Sequence, residues 1–231
     1  MRIDKFFTTV GLLTRSQCAK AAKAGMISVN GKTVRDPAYQ TDPARDAVFY
    51  RGERIIYSEF VYIVMNKPLG CVCSNDEPGE KIVFDLLGDA KRPDLFTVGR
   101  LDKETSGLII ITNDGKTAHT VLSPKHHVKK TYAYGLADPL SEEDRRTVES
   151  GVELRDGYTT MPCEITPADD RSGTITICEG KYHQIRRMFA SVSNRVTSLC
   201  RVSFGDITLD PSLAPGEWRY MTDSEIASFG S

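Results

Sequence analysis

The chain opens on a helical pattern. Ile3, Phe6, Phe7 and Val10 recur on one face at helical spacing, Arg2 and Lys5 lie beside that stripe, and Gly11 closes it. Thr14 and Gln17 have capping-box spacing, so a second helix is predicted from Thr14 through an Ala-rich stretch to Gly25. Residues 26–29 and 32–34 then flank Asn30-Gly31, a pair that accepts the left-handed backbone of a two-residue hairpin turn. Residues 36–59, with Pro37, Pro43 and Gly52 among several charges, show no sustained apolar period and are expected to hold the connection between two domains. From residue 60 the pattern turns strand-rich, with apolar or alternating runs at 60–65, 108–112, 131–137, 173–178 and 196–203. Ser141 begins a helix that stops at Gly151, and a further helix is predicted over 182–191, after Gly180. The expected fold is α+β: a small helix-helix-hairpin domain at 1–45, a linker at 46–59, and a domain at 60–231 built on a large mixed, mainly antiparallel sheet flanked by helices.

With 231 residues, 40% hydrophobic and 26% charged, the chain is an ordinary globular protein, and disorder, collagen and coiled coil are excluded for the whole. Its formal charge of -1 identifies no partner, but the sum is uneven: residues 1–59 carry +4 and the remainder -5. Arg15, Lys20, Lys23, Lys32 and Arg35 fall on the first domain, where they form either a solvated surface or a face for phosphates. No apolar run reaches the eighteen or so residues of a membrane span, and Arg2, Asp4 and Lys5 break up the apolar core a signal peptide needs, so a cytoplasmic location is expected. The six cysteines form no C-x-x-C pair and read as reduced thiols, and the adjacent His126 and His127 lack a third ligand. No metal site is expected.

The most unusual stretch is Gly99-Arg100-Leu101-Asp102-Lys103-Glu104-Thr105-Ser106-Gly107, which runs straight into the apolar strand 108–112. A buried strand that delivers a loop rich in ionisable and hydrogen-bonding groups is how a rigid scaffold holds a reactive side chain. Alone, an Asp beside Arg and Lys is more often a surface ion pair than a nucleophile. The order of motifs adds more. Arg2 to Phe6, Thr14 to Ala19 and Gly25 to Lys32 resemble the S4 RNA-binding domain over roughly residues 1–45. Gly99-Arg100-Leu101-Asp102 with Thr105-Ser106-Gly107-Leu108 resembles the signature of pseudouridine synthases acting on ribosomal RNA. Met65-Asn66-Lys67-Pro68-Leu69-Gly70, Lys130-Thr131-Tyr132, the stretch from Glu179 to Met188, and Leu199-Cys200-Arg201 follow in that family's order.

The resemblance implies the pseudouridine synthase fold and an isomerisation in which a uracil leaves its ribose and rejoins through carbon, with no metal and no organic cofactor. It makes Asp102 the catalytic carboxylate, attacking the sugar carbon or removing a sugar proton to give a glycal. A buried carboxylate stays ionised only beside an opposite charge, and the match gives that task to Arg186. Arg187, about 100° further round the helix, faces elsewhere and is expected at the RNA or on the surface. Tyr132, otherwise a core aromatic, is implied to stack on the uracil and to take or relay a proton. Leu199 fills an apolar pocket position, and Arg100 braces the space left when the nucleotide is splayed out. Arg15, Lys20, Lys23, Lys67, Lys130 and Arg187 are the candidate RNA contacts, and residues 180–201 hold five cations and no acid.

Within the family the likeness is closer to members acting on small-subunit 16S rRNA, through the modest length, the run Ser123 to His127 and the ending Gly205 to Asp210. The expected partner is ribosomal RNA, inside a partly assembled small subunit, met by a monomer. Rival readings are a large-subunit rRNA synthase, a non-catalytic rRNA-binding or ribosome-assembly factor, and a metal-dependent phosphate-ester hydrolase. The last would need a second carboxylate cluster at ligand spacing, and none is present in the sequence.

Overall fold

A computed structural model describes residues 1–229 of the chain. Two compact units result: residues 1–61 together with 89–94, and residues 62–88 together with 95 onward.

The first unit contains α1 (Ile3–Thr9), α2 (Arg15–Lys23), β1 (Ile27–Val29), β2 (Lys32–Thr33), β3 (Val48–Tyr50) and β4 (Glu53–Ile55), its strands ordered β2-β1-β3-β4 and all antiparallel. Local chemistry sets its beginnings and ends. The Thr14 hydroxyl accepts from the Gln17 N–H at 3.3 Å while the Gln17 amide oxygen accepts from the Thr14 N–H at 2.8 Å, which starts α2. Asn30 and Gly31 take φ of +51° and +78°, turning the chain from β1 into β2. Asn30 also donates to Asp46 and accepts from the Ala47 N–H, both at 2.8 Å, and so clamps the hairpin to the approach of β3. Ile3, Phe6, Phe7, Cys18, Ala22, Ile27 and Val48 form the buried centre.

Residues 46–59 are therefore not the linker that their sequence predicts. They supply β3, paired to β1, and β4. Three-residue strands are too short to show alternation, and β4 is largely exposed, which is why no apolar period marks them. Residues 89–94 complete the same unit. Arg92 is buried, pairs with Asp94 at 2.7 Å, and lays its stem against Gly11, where an added Cβ would come within 2.4 Å of Arg92 Cγ.

The second unit contains β5 (Tyr62–Lys67), β6 (Cys71–Val72), β7 (Lys81–Ile82), β8 (Phe96–Thr97), β9 (Ser106–Thr112), α3 (Gly115–Leu122), β10 (Lys130–Leu136), α4 (Glu142–Glu149), β11 (Glu164–Pro167), β12 (Ser172–Ile177), α5 (Gln184–Ser191), β13 (Val196–Phe204), β14 (Ile207–Thr208), β15 (Trp218–Tyr220) and α6 (Asp223–Phe229). The main sheet runs β11-β12-β10-β13-β9-β5-β15, with β8 added to β9 and β14 to β13. Among the described residues its one parallel pairing is β9 with β13, where Ser106 meets Cys200 and Gly107 meets Arg201. This matches the expected mixed, mainly antiparallel sheet. Gly107 through Thr112 are all buried, as a central strand covered on both faces requires, and this explains their nearly unbroken apolar sequence. Asp114 caps α3 by accepting from the Lys116 and Thr117 N–H groups, and also accepts from the Tyr62 hydroxyl at 2.6 Å, joining β5 to the start of that helix.

Candidate active site

The central strands deliver the site. β9 begins immediately after the loop 99–105, β10 supplies Tyr132, β13 supplies Leu199 and Arg201, and α5 supplies Arg186. Arg100, Asp102, Tyr132, Arg186 and Leu199 line a single cleft, together with Thr105, Ile177, Lys181, His183 and Gln184. Tyr132 and Tyr134 share a face of β10. Tyr134 packs on Phe189 of α5 at 5.1 Å, and Tyr132, 8% exposed, forms part of the cleft wall. Leu199 lies opposite Tyr134 in the next strand and is also buried.

The loop's shape depends on two features. Gly107 has φ of +98°, and an added Cβ would lie 2.3 Å from the Arg201 carbonyl oxygen and 2.7 Å from its nitrogen, so the close approach of β9 to β13 admits only glycine. Lys67, at the end of β5, is completely buried, and its ammonium donates to the carbonyls of Pro68 at 3.1 Å, Asp102 at 3.0 Å and Thr105 at 2.8 Å. Three protons meet three acceptors, and Asp102 is tethered through its own main chain. Burial pushes the Lys67 ammonium below its ordinary value, and the nearby Cys73, Cys71, Asp102 and Glu104 act against that shift. As a contact to RNA phosphate Lys67 is thus corrected. It is a loop tether with no surface to offer a ligand.

Arg186 also differs from expectation. Its guanidinium donates to the carbonyls of Glu104 at 2.6 Å and Val196 at 3.3 Å, and among the described residues it makes no ion pair with Asp102. The basic group nearest the carboxylate is His183, whose Nε2 stands 3.6 Å from Asp102 Oδ1. The physical reason lies in burial: the Asp102 side chain keeps 35% of its exposure, so water shares the work that a buried carboxylate would demand of a cation. Arg186 instead fastens the far side of the same loop, two residues beyond Asp102.

Arg187 is turned away from the cleft as helical geometry predicts, but it is committed to Asp156 at 2.7 Å and to the Tyr182 carbonyl at 3.3 Å, so it is not a free cation for RNA. Lys130 is half-buried, donating to the Val128 carbonyl at 2.9 Å with its ammonium 5.3 Å from the centre of the Phe204 ring. Arg15, Lys20 and Lys23 are exposed on α2, and Arg35 donates to the Lys23 carbonyl at that helix's end.

His183 is the site residue that sequence reasoning passed over, although it stands inside a recognised motif. Its backbone is left-handed, with φ of +48° and ψ of +33°, and its ring stacks on the exposed Tyr182 at 3.9 Å. A left-handed histidine at a helix start has no signature in composition or periodicity. Glu179 and Gln184 hold this turn: Gln184 donates to Glu179 at 2.6 Å and accepts from the Lys181 N–H at 2.9 Å, while Glu179 accepts from the Met161 N–H at 2.8 Å and from the Tyr158 hydroxyl. Among the described residues no group of three or more His, Cys, Asp or Glu is placed to hold a metal ion, and no helix is long and apolar enough to cross a membrane.

A carboxylate on a tethered loop, above a buried aromatic and an apolar floor, defines a site that can hold a flat heterocycle while acting on the group bonded to it. Comparison with known proteins gives this class its family. Residues 61–191 match the RNA pseudouridylate synthase family and residues 1–44 the S4 domain. The chain is 41% identical to an uncharacterized RNA pseudouridine synthase of Bacillus subtilis, with 98% of this chain and 97% of that protein covered. It is 40% identical to the ribosomal small subunit pseudouridine synthase A of Haemophilus influenzae, over 98% of each. A crystal structure of a pseudouridylate synthase superposes with a TM-score of 0.70 at 39% identity, over 99% of both chains. The chain belongs to the RNA pseudouridylate synthase family and is an isomerase acting on uridine in RNA.

Proposed function

We propose that the enzyme converts a specific uridine of small-subunit 16S ribosomal RNA to pseudouridine, with Asp102 as the catalytic carboxylate. The observation that carries this reading is the convergence of Asp102, Tyr132 and Leu199 on one cleft whose loop is fastened from beneath by Lys67 and from the side by Arg186. The uracil stacks on Tyr132 over Leu199, and stacking of this kind contributes about 1–3 kcal/mol per base, part of the cost of splaying the nucleotide out. Asp102 then acts on the ribose, by attack at the anomeric carbon or by removing a sugar proton to give a glycal. In either route the carbon–nitrogen glycosidic bond breaks, the uracil turns, and a carbon–carbon bond forms. The ring carbon loses its proton and the ring nitrogen gains one, so no oxidant or reductant is consumed. Arg100 braces the vacated space from the exposed rim of the cleft.

The relative in Haemophilus influenzae that carries the small-subunit name matches over 98% of its length, which supports small-subunit RNA as the target. The S4 unit adds a second hold on the RNA through Arg15, Lys20 and Lys23. The same reading has a monomer working in the cytoplasm on a partly assembled small subunit.

The test compares wild type with Asp102→Asn on unmodified 16S RNA and on partly assembled particles, with pseudouridine mapped by nucleotide. Wild type forms product at one site and the variant forms none, while RNA binding is retained. Product from the variant removes Asp102 from its role. Product only in 23S RNA moves the substrate to the large subunit, and no product from any ribosomal RNA favours a binding factor.

A further inference from the structure

Beside the reactive cleft lies a second cavity of about 310 Å³. It shares Arg100, Tyr132, Gly180 and Lys181 with the cleft. Its inner wall holds Arg201, whose side chain is 1% exposed. Arg201 donates through Nε to the Leu108 carbonyl at 2.7 Å, but its Nη2 is buried with no hydrogen-bond partner, and among the described residues the guanidinium has no carboxylate partner. Lys130 lines the same cavity. Its ammonium and the Arg201 guanidinium lie 5.3 Å and 5.4 Å from the centre of one aromatic ring, Phe204. Burial, and after it the Arg201 charge, push the Lys130 ammonium below its ordinary value. The one acid in the wall, Glu179, accepts from the Tyr158 hydroxyl, the Met161 N–H and the Gln184 amide, and its charge acts on Lys130 less than burial and the Arg201 charge do.

Arg201 is removed from water without an ion-pair partner, and the half-buried Lys130 adds a second positive charge beside it, which leaves the cavity with under-compensated positive charge. The Phe204 ring compensates in part. The remainder fits a ligand that arrives carrying negative charge and acceptor oxygens, and the guanidinium's free N–H groups match a pair of phosphate oxygens. We infer that this cavity is a subsite for a phosphodiester of the RNA strand flanking the target uridine, held by Arg201 and Lys130. The inference rests on RNA being the substrate. It places Lys130, a candidate RNA contact by sequence, in a recess.

The experiment measures binding by the full-length Asp102→Asn enzyme, so it needs no turnover. Target RNA fragments carry a neutral methylphosphonate at one phosphodiester at a time around the target uridine. One position is expected to weaken binding about ten- to hundredfold, the range of one or two charge-assisted hydrogen bonds. The same position should cost severalfold less when Lys130→Met is added, because one of its two contacts is already gone, and Lys130→Arg should restore the full dependence. Arg201→Lys, which keeps the charge and loses the planar fork, gives a second background in the event that Lys130→Met does not fold. A merely structural role for either residue leaves the methylphosphonate effect unchanged in the variants. Equal losses in all backgrounds, or no sensitive position, overturn the subsite. Pseudouridine formation by wild type is scored separately, so failure of the isomerase reading is seen on its own.

Discussion

The two units use cations in opposite ways. In the S4 unit Arg15, Lys20 and Lys23 stand exposed on one helix, and among the described residues their side chains make no hydrogen bond or ion pair. In the catalytic unit Lys67 and Arg201 are buried, and each is bonded to backbone carbonyls of strands or loops distant in sequence. Surface cations hold RNA through long-range, salt-sensitive attraction, whereas interior cations hold the protein's own chain in shape or wait for a specific anion. A count of Lys and Arg, or a net charge of -1, treats these as one population.

The largest test of this contrast is Lys67→Met. It leaves three carbonyls without their donor, and a loss of about 3 kcal/mol in urea unfolding is expected, with pseudouridine formation falling to background. A variant as stable and active as wild type returns Lys67 to the RNA surface. Next comes the triple substitution of Arg15, Lys20 and Lys23 to Gln. Stability should change by less than about 0.5 kcal/mol, while RNA affinity falls and the slope of log affinity against log salt becomes shallower by about two to three. An unchanged slope denies the S4 unit its docking role. Arg187→Ala sits between the two populations: its pair with Asp156 is partly exposed, so at most about 1 kcal/mol of stability and no RNA affinity should be lost.

The smallest effect concerns acid. Arg219 pairs with Asp210 at 2.8 Å and with Glu225 at 2.8 Å. Ser212, then Arg219, hold Asp210 down to about 2 from 3.8, and Arg219 holds Glu225 down to about 2 from 4.5. Both folded values lie below the unfolded ones. The contribution is therefore fully present above about pH 4.5 and is lost as pH falls toward 2. Trp218, the chain's single tryptophan, adjoins Arg219, so its fluorescence should report loosening of this segment in that window, and Arg219→Met should flatten the transition.

Much of the architecture was legible because its signals are local. The Thr14 capping box, the Asn30-Gly31 turn and the apolar run after Gly107 are each written within a few residues and appear where expected. The same is true of Asp102, Tyr132 and Leu199, which fall on strands or loops that the motifs name. What escaped depends on partners far along the chain. Lys67 is hydrogen-bonded to carbonyls 35 and 38 residues away, Arg187 is paired with Asp156, and β3 is paired with a hairpin it meets only in the folded sheet. A practical correction follows. Cutting the chain after residue 45 would strip β1 and the α1 core from β3 and β4, so the role of the S4 unit is better probed by surface substitution than by truncation.

The parallel meeting of β9 and β13 has a consequence for biosynthesis. β13 is inserted between β9 and β10, strands made long before it, and Arg201 bonds to Leu108 across 93 residues of sequence. Until residue 204 has left the ribosome the strand that lies between β9 and β10 is missing, and nothing in the sheet joins the loop of Asp102 to the strand of Tyr132. A nascent chain of this enzyme therefore carries Asp102 and Tyr132 before it has the cleft that both line. That cleft comes into being only once this late strand, with its Leu199, has been inserted.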